Sequence, residues 1–411
     1  MNMSCKRLLC GAALLLATTL MAKNPIQLAT AQMGFSKRDF VDTVKIRVID
    51  GAIVVPVEID GKVRNMMFDT GCPTGVWFGQ REPWLEMTQS DGLDVGDING
   101  AKRQQTICHV PTMKLGSLRI DNYPMFWIEK GLGDYVCGQF DGIIGFNLVG
   151  RGLSFKFDTR DSLLIFTDRK NFFATEAKGF PLAKYQTYTD YRPIIDVETP
   201  FGVVESLFDT GAHNTWLLLN DGQIDGWLER NPKSRAAFEA LVVQTDSTFN
   251  AKVGLYGFSL DSVVVRYLRF QTIKIGTLAI NNLHVKTDGS ASKVGSAVLK
   301  NASLIIDAHK RRFVFLPHDG QEIEAGNGDL NDISFVPMAN GDSIVAIVRT
   351  GAEAYQKGVR TGDYLISVDN EPVSDMCALS HIFENLKGNE GTFKFRSPDG
   401  TEKIVRLKRS K

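Results

Sequence analysis

The residues best equipped for chemistry in this chain are two acidic side chains in matching frames: Phe68-Asp69-Thr70-Gly71 recurs as Phe208-Asp209-Thr210-Gly211, 140 residues later. A lone Asp-Thr-Gly carries little meaning, since average residue usage produces it about 0.1 times in a chain of this size. Each copy could also be no more than a turn closing a strand, a task Asp and Gly perform well. Two copies in equivalent contexts point further. If the segments carrying them pack about a pseudo-two-fold axis, Asp69 and Asp209 face each other across it. Two carboxyls that close share one proton, because ionising both is costly. One carboxylate then acts as base on a water held between them while its protonated partner polarises a substrate carbonyl. The reaction class is peptide hydrolysis through a tetrahedral intermediate, with no covalent acyl-enzyme. Asp69 and Asp209 are the candidate catalytic residues. Thr70, Gly71, Thr210 and Gly211 are the candidate supports: the threonine hydroxyls can bond across the junction, and the glycines let backbone approach the carboxylates.

The elements that must position these residues also repeat. Upstream of each motif the pattern reads strand, turn, strand: residues 53–59, Asp60-Gly61-Lys62 and 63–68 in the first copy, and residues 193–197, Pro200-Phe201-Gly202 and 203–208 in the second. Downstream, each runs into an apolar stretch, Val76-Trp77-Phe78 and Trp216-Leu217-Leu218-Leu219. A second landmark, Lys114-Leu115-Gly116, returns as Lys274-Ile275-Gly276, 160 residues on. The second copy therefore holds extra residues between the landmarks, and residues 232–244, with Ala236, Phe238, Ala240 and Leu241 among charges, read as an inserted surface helix. Each copy closes with a strand, a turn containing Asp158 or Asp307, and another strand. Residues 318–332 read as a linker, rich in Gly, Asp and Glu. In the remaining unit, residues 343–348 and 364–368 read as strands. Residues 377–386 read as a helix with Leu379, Ile382, Phe383 and Leu386 on one face, and residues 391–407 as a hairpin turning at Asp399-Gly400.

Composition limits the alternatives. The 411 residues exceed one core, and 47 Lys+Arg against 47 Asp+Glu leave no net field for nucleic acid or an anionic membrane. With 43% hydrophobic residues the chain is not disordered overall, and 38 glycines set singly between short apolar runs predict a β-rich protein. Lys6 and Arg7 precede an apolar run, residues 8–21, that ends at Ala22, the layout of a signal peptide cleaved near Ala22. The run is too short for a comfortable membrane span, so no stable span is expected after its removal. Cys72, Cys108, Cys137 and Cys377 remain in an oxidising compartment. Spacing does not decide their pairing; a bridge among Cys72, Cys108 and Cys137 is open, with Cys108–Cys137 preferred. The six His lack metal-ligand spacing, so neither a metal nor another cofactor is expected. His213, beside the second motif, is a weaker candidate for a substrate contact, and Cys72 for a reactive thiol.

With these motifs in place, residues 44–316 resemble the pepsin/retropepsin class of aspartic peptidases. The features carrying the resemblance are the apolar-Asp-Thr-Gly motif twice and Asp141-Gly142-Ile143-Ile144-Gly145, similar to the apolar-apolar-Gly motif that crosses behind the catalytic loop in that family. The resemblance implies two related acid-protease-type β-barrel lobes, and a substrate bound as an extended strand under a flap, for which residues 94–104 and 254–261 are the candidates by order. Two departures stand out. The residue after Asp-Thr-Gly is Cys72 in one lobe and Ala212 in the other, so the outer carboxylate oxygens lose a hydroxyl donor and an acid optimum does not follow. The second lobe offers Gly295-Ser296-Ala297-Val298-Leu299 as the counterpart of Ile143-Ile144-Gly145, a degenerate supporting loop. Downstream, Thr350-Gly351-Ala352-Glu353-Ala354, Lys357-Gly358-Val359, Gly362-Asp363-Tyr364-Leu365-Ile366 and Glu371-Pro372-Val373 resemble a bacterial PDZ domain, which implies peptide capture by strand addition. Its expected carboxylate loop, Phe335-Val336-Pro337-Met338, lacks glycines.

The expected architecture is mainly β: signal peptide 1–22, N-terminal segment 23–43, lobes 44–180 and 181–317 about a pseudo-two-fold axis, linker 318–332 and a small α+β PDZ-like domain 333–411. The expected function is an exported aspartic endopeptidase, periplasmic or secreted, whose partners are peptide or protein substrates and a protein docked on the PDZ-like domain. A catalytically silent peptide-binding protein of the same fold, and a PDZ-based interaction protein with the lobes as scaffold, are the alternatives.

Overall fold

The computed structural model describes residues 24–49, 51–87, 92–97, 100–135, 137–287, 291–326, 332–338, 343–386, 388 and 390–408. The expected signal peptide lies outside them. Each lobe grows from a hairpin whose turn chemistry is local. Ala52–Ile59 pairs with Lys62–Phe68 in a register that sets Ile59 opposite Lys62. The two turn residues, Asp60 and Gly61, both have positive φ, which favours a short aspartate-glycine turn matched to strand twist. Pro193–Thr199 and Gly202–Phe208 form the equivalent hairpin by a different turn, Pro200-Phe201, with Thr199 opposite Gly202.

From these hairpins each lobe closes on itself. In the first, Leu118–Ile128, Gly75–Phe78, Gly142–Ile144, Lys62–Phe68, Ala52–Ile59 and Ile107–Leu115 pair in sequence, and the last returns to the first. In the second, Leu278–Thr287, Leu217–Leu219, Lys293–Val294, Gly202–Phe208, Pro193–Thr199 and Gly257–Ile275 form the same closed ring. The protein is mainly β, as the glycines set between short apolar runs predict, with the barrel-like lobes that the resemblance implies. Closure leaves few bare strand edges and directs alternate side chains, such as Val55, Val57 and Phe68, into an apolar interior.

The closing strands of the two lobes join one another. Ser154–Asp158 lies antiparallel to Ala302–Asp307, with Lys156 opposite Ile305, at the centre of a six-stranded sheet. That sheet extends outward to Leu163–Thr167 and Val41–Lys45 on one side and to Arg312–Pro317 and Leu182–Lys184 on the other. It carries the floor of the molecule: Phe68 packs edge-on against Phe155 and Phe157 at 5.2 and 4.8 Å, and Phe208 stacks on Phe313 at 4.4 Å. The residue before each acidic motif is thus wedged onto a surface common to both lobes.

Several boundaries differ from the sequence reading. Residues 25–45 are part of the folded body. Pro25–Ala31 is a helix capped by Asn24, Gly34–Phe35 pairs with the Leu118–Ile128 strand, and Val41–Lys45 runs across the expected boundary at 44. The insertion holds two helices, Asp221–Arg230 and Arg235–Glu239, and residues 242–244 already belong to strand Val242–Gly254. Asn220 caps the first of these through Gln223 N at 2.6 Å, a cue that sequence reading passed over. The expected linker is structured in part, because Ile323, an apolar residue, is buried and Ile323–Glu324 adds to Leu278–Thr287.

The C-terminal unit is a separate sheet of six strands. Ile333–Pro337 forms one edge, followed by Ile344–Val348, Tyr364–Val368, Glu390–Arg396 and Glu402–Lys408, with Glu371–Pro372 paired to Tyr364–Val368. Helix Met376–Asn385 buries Leu379 and Ile382, and Asp375 caps it through Ala378 N at 2.8 Å. Phe335, Val336 and Pro337, read as a loop, are paired strand residues opposite Ala346, Val345 and Ile344, because Val336 and Pro337 are buried against that neighbour. Among the described residues, this unit is attached to the lobes at two places. Thr350 N donates to Asp246 Oδ2 at 2.9 Å and Gln244 Nε2 donates to Thr350 O at 2.8 Å. Cys137 and Cys377 form a disulfide, replacing the preferred Cys108–Cys137 pair. Cys108 lies buried inside the first lobe against Met87, out of reach, while Cys137 sits on an exposed turn. A protease site inserted among residues 326–332 is therefore expected, once cut, to give one band without reductant and two with it on a denaturing gel. Two bands under both conditions would refute the bridge.

Candidate active site

Both acidic motifs sit where a barrel strand ends beside the joint sheet, and their loops are bonded identically. Asp69 N donates to Ile144 O at 3.0 Å and Asp209 N to Val294 O at 2.8 Å. Phe146 N donates to Cys72 O at 2.9 Å and Ser296 N to Ala212 O at 3.0 Å. The supporting segment of the second lobe is accordingly Lys293-Val294-Gly295, whose strand runs parallel to Gly202–Phe208 as Gly142–Ile144 runs parallel to Lys62–Phe68. This corrects the assignment to residues 295–299. Gly145 and Gly295 are both required, since an added Cβ would stand 2.3 Å from Thr74 O or from Ala212 O.

The two loops interlock. Thr70 N donates to Thr210 Oγ1 at 3.0 Å, and Thr210 N donates to Thr70 Oγ1 at 3.0 Å. Each hydroxyl then donates across the junction, Thr70 Oγ1 to Phe208 O at 2.5 Å and Thr210 Oγ1 to Phe68 O at 2.8 Å. All four groups are closed to solvent, so every donor and acceptor is satisfied by the other lobe. The glycines allow the carboxyls to cross over. A Cβ at Gly71 would lie 2.5 Å from Asp209 Oδ1, and one at Gly211 would lie 2.5 Å from Asp69 Oδ2.

Asp69 and Asp209 meet at this junction, each carboxyl lying against the glycine of the other motif. Asp69 Oδ1 accepts from Gly71 N at 2.7 Å and Asp209 Oδ1 from Gly211 N at 3.0 Å. Their remaining surroundings differ. Burial and the neighbouring Asp209 charge hold the Asp69 carboxyl well above the ordinary carboxylate range. Burial also acts to raise Asp209, but the ammonium of Lys293, 3.1 Å from its Oδ2, wins and holds it below that range. Lys293 is a buried lysine at the strand position that Ile143 fills in the first lobe. Sequence reading missed it by seeking an apolar pair before glycine; a lysine interrupting that pair in the second copy was the available signal.

Cys72, next to Asp69, is buried, with Sγ 3.1 Å from Thr74 O; burial and the Asp69 charge push its thiol far up. Burial pushes Cys108 up to about 11. A thiol reagent at pH 8 is expected to leave both untouched in the folded chain and to count two thiols per chain from residue 24 onward after denaturation. Rapid labelling of Cys72 in the folded protein would restore its role as a reactive thiol. His213 turns its ring to Met67, with Nε2 3.0 Å from Sδ.

Two hairpins meet over this region. In the first lobe Leu93–Gly96 pairs with Lys102–Gln105, across the span read as a flap candidate, residues 94–104. The second-lobe hairpin is longer than expected, with Val242–Gly254 and Gly257–Ile275 turning at Leu255-Tyr256. Its tip reaches the first lobe. Leu132 N donates to Leu255 O at 3.2 Å, Tyr256 N to Asp97 Oδ2 at 3.1 Å, and the Arg103 guanidinium lies 4.9 Å over the Tyr256 ring. Tyr256 is buried in the apolar cluster that includes Met67, Cys72 and Ile128.

No protein-family model and no curated protein matches the chain. Among solved structures, the aspartic proteinase from Irpex lacteus is similar, with a TM-score of 0.40 and 14% identity, covering 68% of this chain and 97% of that one. At that level the likeness concerns the fold alone. No helix among the described residues is long and apolar enough to cross a membrane.

Proposed function

We propose that the chain is an aspartic-type endopeptidase. The observation that carries this reading is the juxtaposition of the Asp69 and Asp209 carboxyls, each against the other motif's glycine, on two loops locked together by reciprocal threonine bonds. One carboxylate takes a proton from water as its oxygen bonds to the peptide carbonyl carbon, and the other carboxyl gives its proton to the carbonyl oxygen. When the C–N bond breaks, the first carboxyl passes its proton to the leaving nitrogen and the second recovers one from the intermediate. Both carboxyls end as they began, and no cofactor is consumed. The substrate would lie extended beneath the hairpins, which must part at Tyr256 to admit it.

The C-terminal unit is proposed as a PDZ-like recruiting module. Peptide capture by strand addition would use its sheet, in which Ile333–Pro337 lies at the end of the strand order and Phe335 stands 6.1 Å from Phe383. Export to the periplasm or outside the cell, following removal of residues 1–22, accords with the Cys137–Cys377 disulfide. The test is a diverse peptide mixture incubated with the chain from residue 24 across pH and read by mass spectrometry. Internal cleavages are expected; intact peptides at every pH, with tight binding, would favour a silent binding protein.

A further inference from the structure

The reciprocal threonine bonds, the glycine-to-aspartate bonds and the strand-to-aspartate bonds of the two lobes match at the junction, but the supporting strands differ in charge. Where the first lobe sets Ile143 beside Met67, the second sets Lys293 beside Leu207, and the Lys293 ammonium donates to Asp209 Oδ2 at 3.1 Å. Lys293 is 5% exposed and Asp209 8%. An ammonium so enclosed is tolerable only with its counter-charge in contact, so the pair forms as Lys293⁺ and Asp209⁻. The lysine also supplies what Ala212 cannot: a donor to the outer oxygen of the second carboxylate.

We propose that Lys293 is a positioning residue that makes the carboxyl pair asymmetric, fixing Asp209 as the ionised base and Asp69 as the protonated acid. The inference rests on the peptidase reading above and assigns the two roles which that reading leaves interchangeable. The titratable groups facing the pair are Cys72 from the first loop and Lys293 from the second lobe's supporting strand; Arg192 lies beyond Cys72, and His213, in the second loop, turns to Met67. Lys293 acts only through Asp209.

The test uses Lys293→Met, a change of similar length that leaves an apolar side chain where the first lobe has one. Melting temperatures at pH 7 are measured for Asp69→Asn and Asp209→Asn, each with and without Lys293→Met. With Lys293 present, the two variants are expected to shift in opposite directions. Asp69→Asn rises, because a carboxyl kept protonated in the fold would ionise on unfolding. Asp209→Asn falls by about 10 °C, because it strands the ammonium. With Lys293→Met, both are expected to shift alike. Equal shifts with Lys293 present would overturn the proposal, whether or not peptides are cut. For peptide cleavage, Lys293→Met is expected to move the acid limb of the kcat/KM profile up by about one to three pH units, since Asp209 then protonates more readily. An unmoved acid limb, or faster cleavage at every pH, would also overturn it. A wild type that cuts no peptide would end the peptidase reading, while the melting comparison would still decide whether Lys293 sets the asymmetry.

Discussion

Asp69→Asn and Asp209→Asn are each expected to lower kcat/KM for a cleaved peptide by about a thousandfold or more. The asparagine amide fits the same space, and Gly71 N and Gly211 N keep an oxygen to bond. What it loses is the proton. An amide neither accepts a proton from water nor donates one to the carbonyl oxygen, and the two carboxyls work as one unit, so either loss removes most of the benefit of both. Initial rates on one peptide, with folding verified by the melting transition, provide the measurement. Either variant retaining more than a tenth of wild-type activity would exclude the two-carboxyl mechanism.

The second large effect is expected at the threonines. Thr70→Val keeps the shape of the side chain but leaves Thr210 N without its acceptor and Phe208 O without its donor, both deep in the interlobe junction. Thr210→Val does the same to Thr70 N and Phe68 O. Each substitution is expected to cost about 2–4 kcal/mol, since stranded buried groups pay their full desolvation. Because the carboxyls ride on these loops, peptide cleavage is expected to fall by about 10- to 100-fold through misplacement. Combined, the two should fall short of the sum of their effects, because the bonds are reciprocal. Denaturant titration and steady-state rates check both effects. Thr70→Ser, which retains the hydroxyl, serves as control and should stay near wild type. A Thr70→Val variant as stable as Thr70→Ser would mean that the interlock contributes nothing.

How far this site could be read from residue order depends on the range of the interaction concerned. The hairpin at Asp60-Gly61, the pairing of Asp158- and Asp307-bearing turns, and the strands after Ser343 follow from local patterning, and all are found. The meeting of Asp69 with Asp209 was legible for another reason: duplication converts a long-range contact into a comparison of two short motifs. Where that symmetry fails, so does the reading. Lys293 broke the apolar-apolar-Gly pattern and moved the apparent counterpart to residues 295–299. Cys137 finds Cys377 240 residues away, in a unit with no copy in the chain, so no pattern announces the bond. The Leu255-Tyr256 tip likewise docks on the other lobe, and its partners Asp97 and Arg103 carry no periodic signature.

The six-stranded sheet shared by the lobes has a bearing on when chemistry becomes available. Its central register joins Phe155 to Ile306 and its flank joins Val44 to Leu164, contacts more than a hundred residues apart that form only after long segments have been brought together. The floor under Phe68 and Phe208 is therefore expected among the last surfaces to assemble, and until then each acidic side chain would stand alone. On the peptidase reading proposed above, a nascent or partly folded molecule would be harmless to its neighbours, and cleavage would begin only with the final register of that sheet.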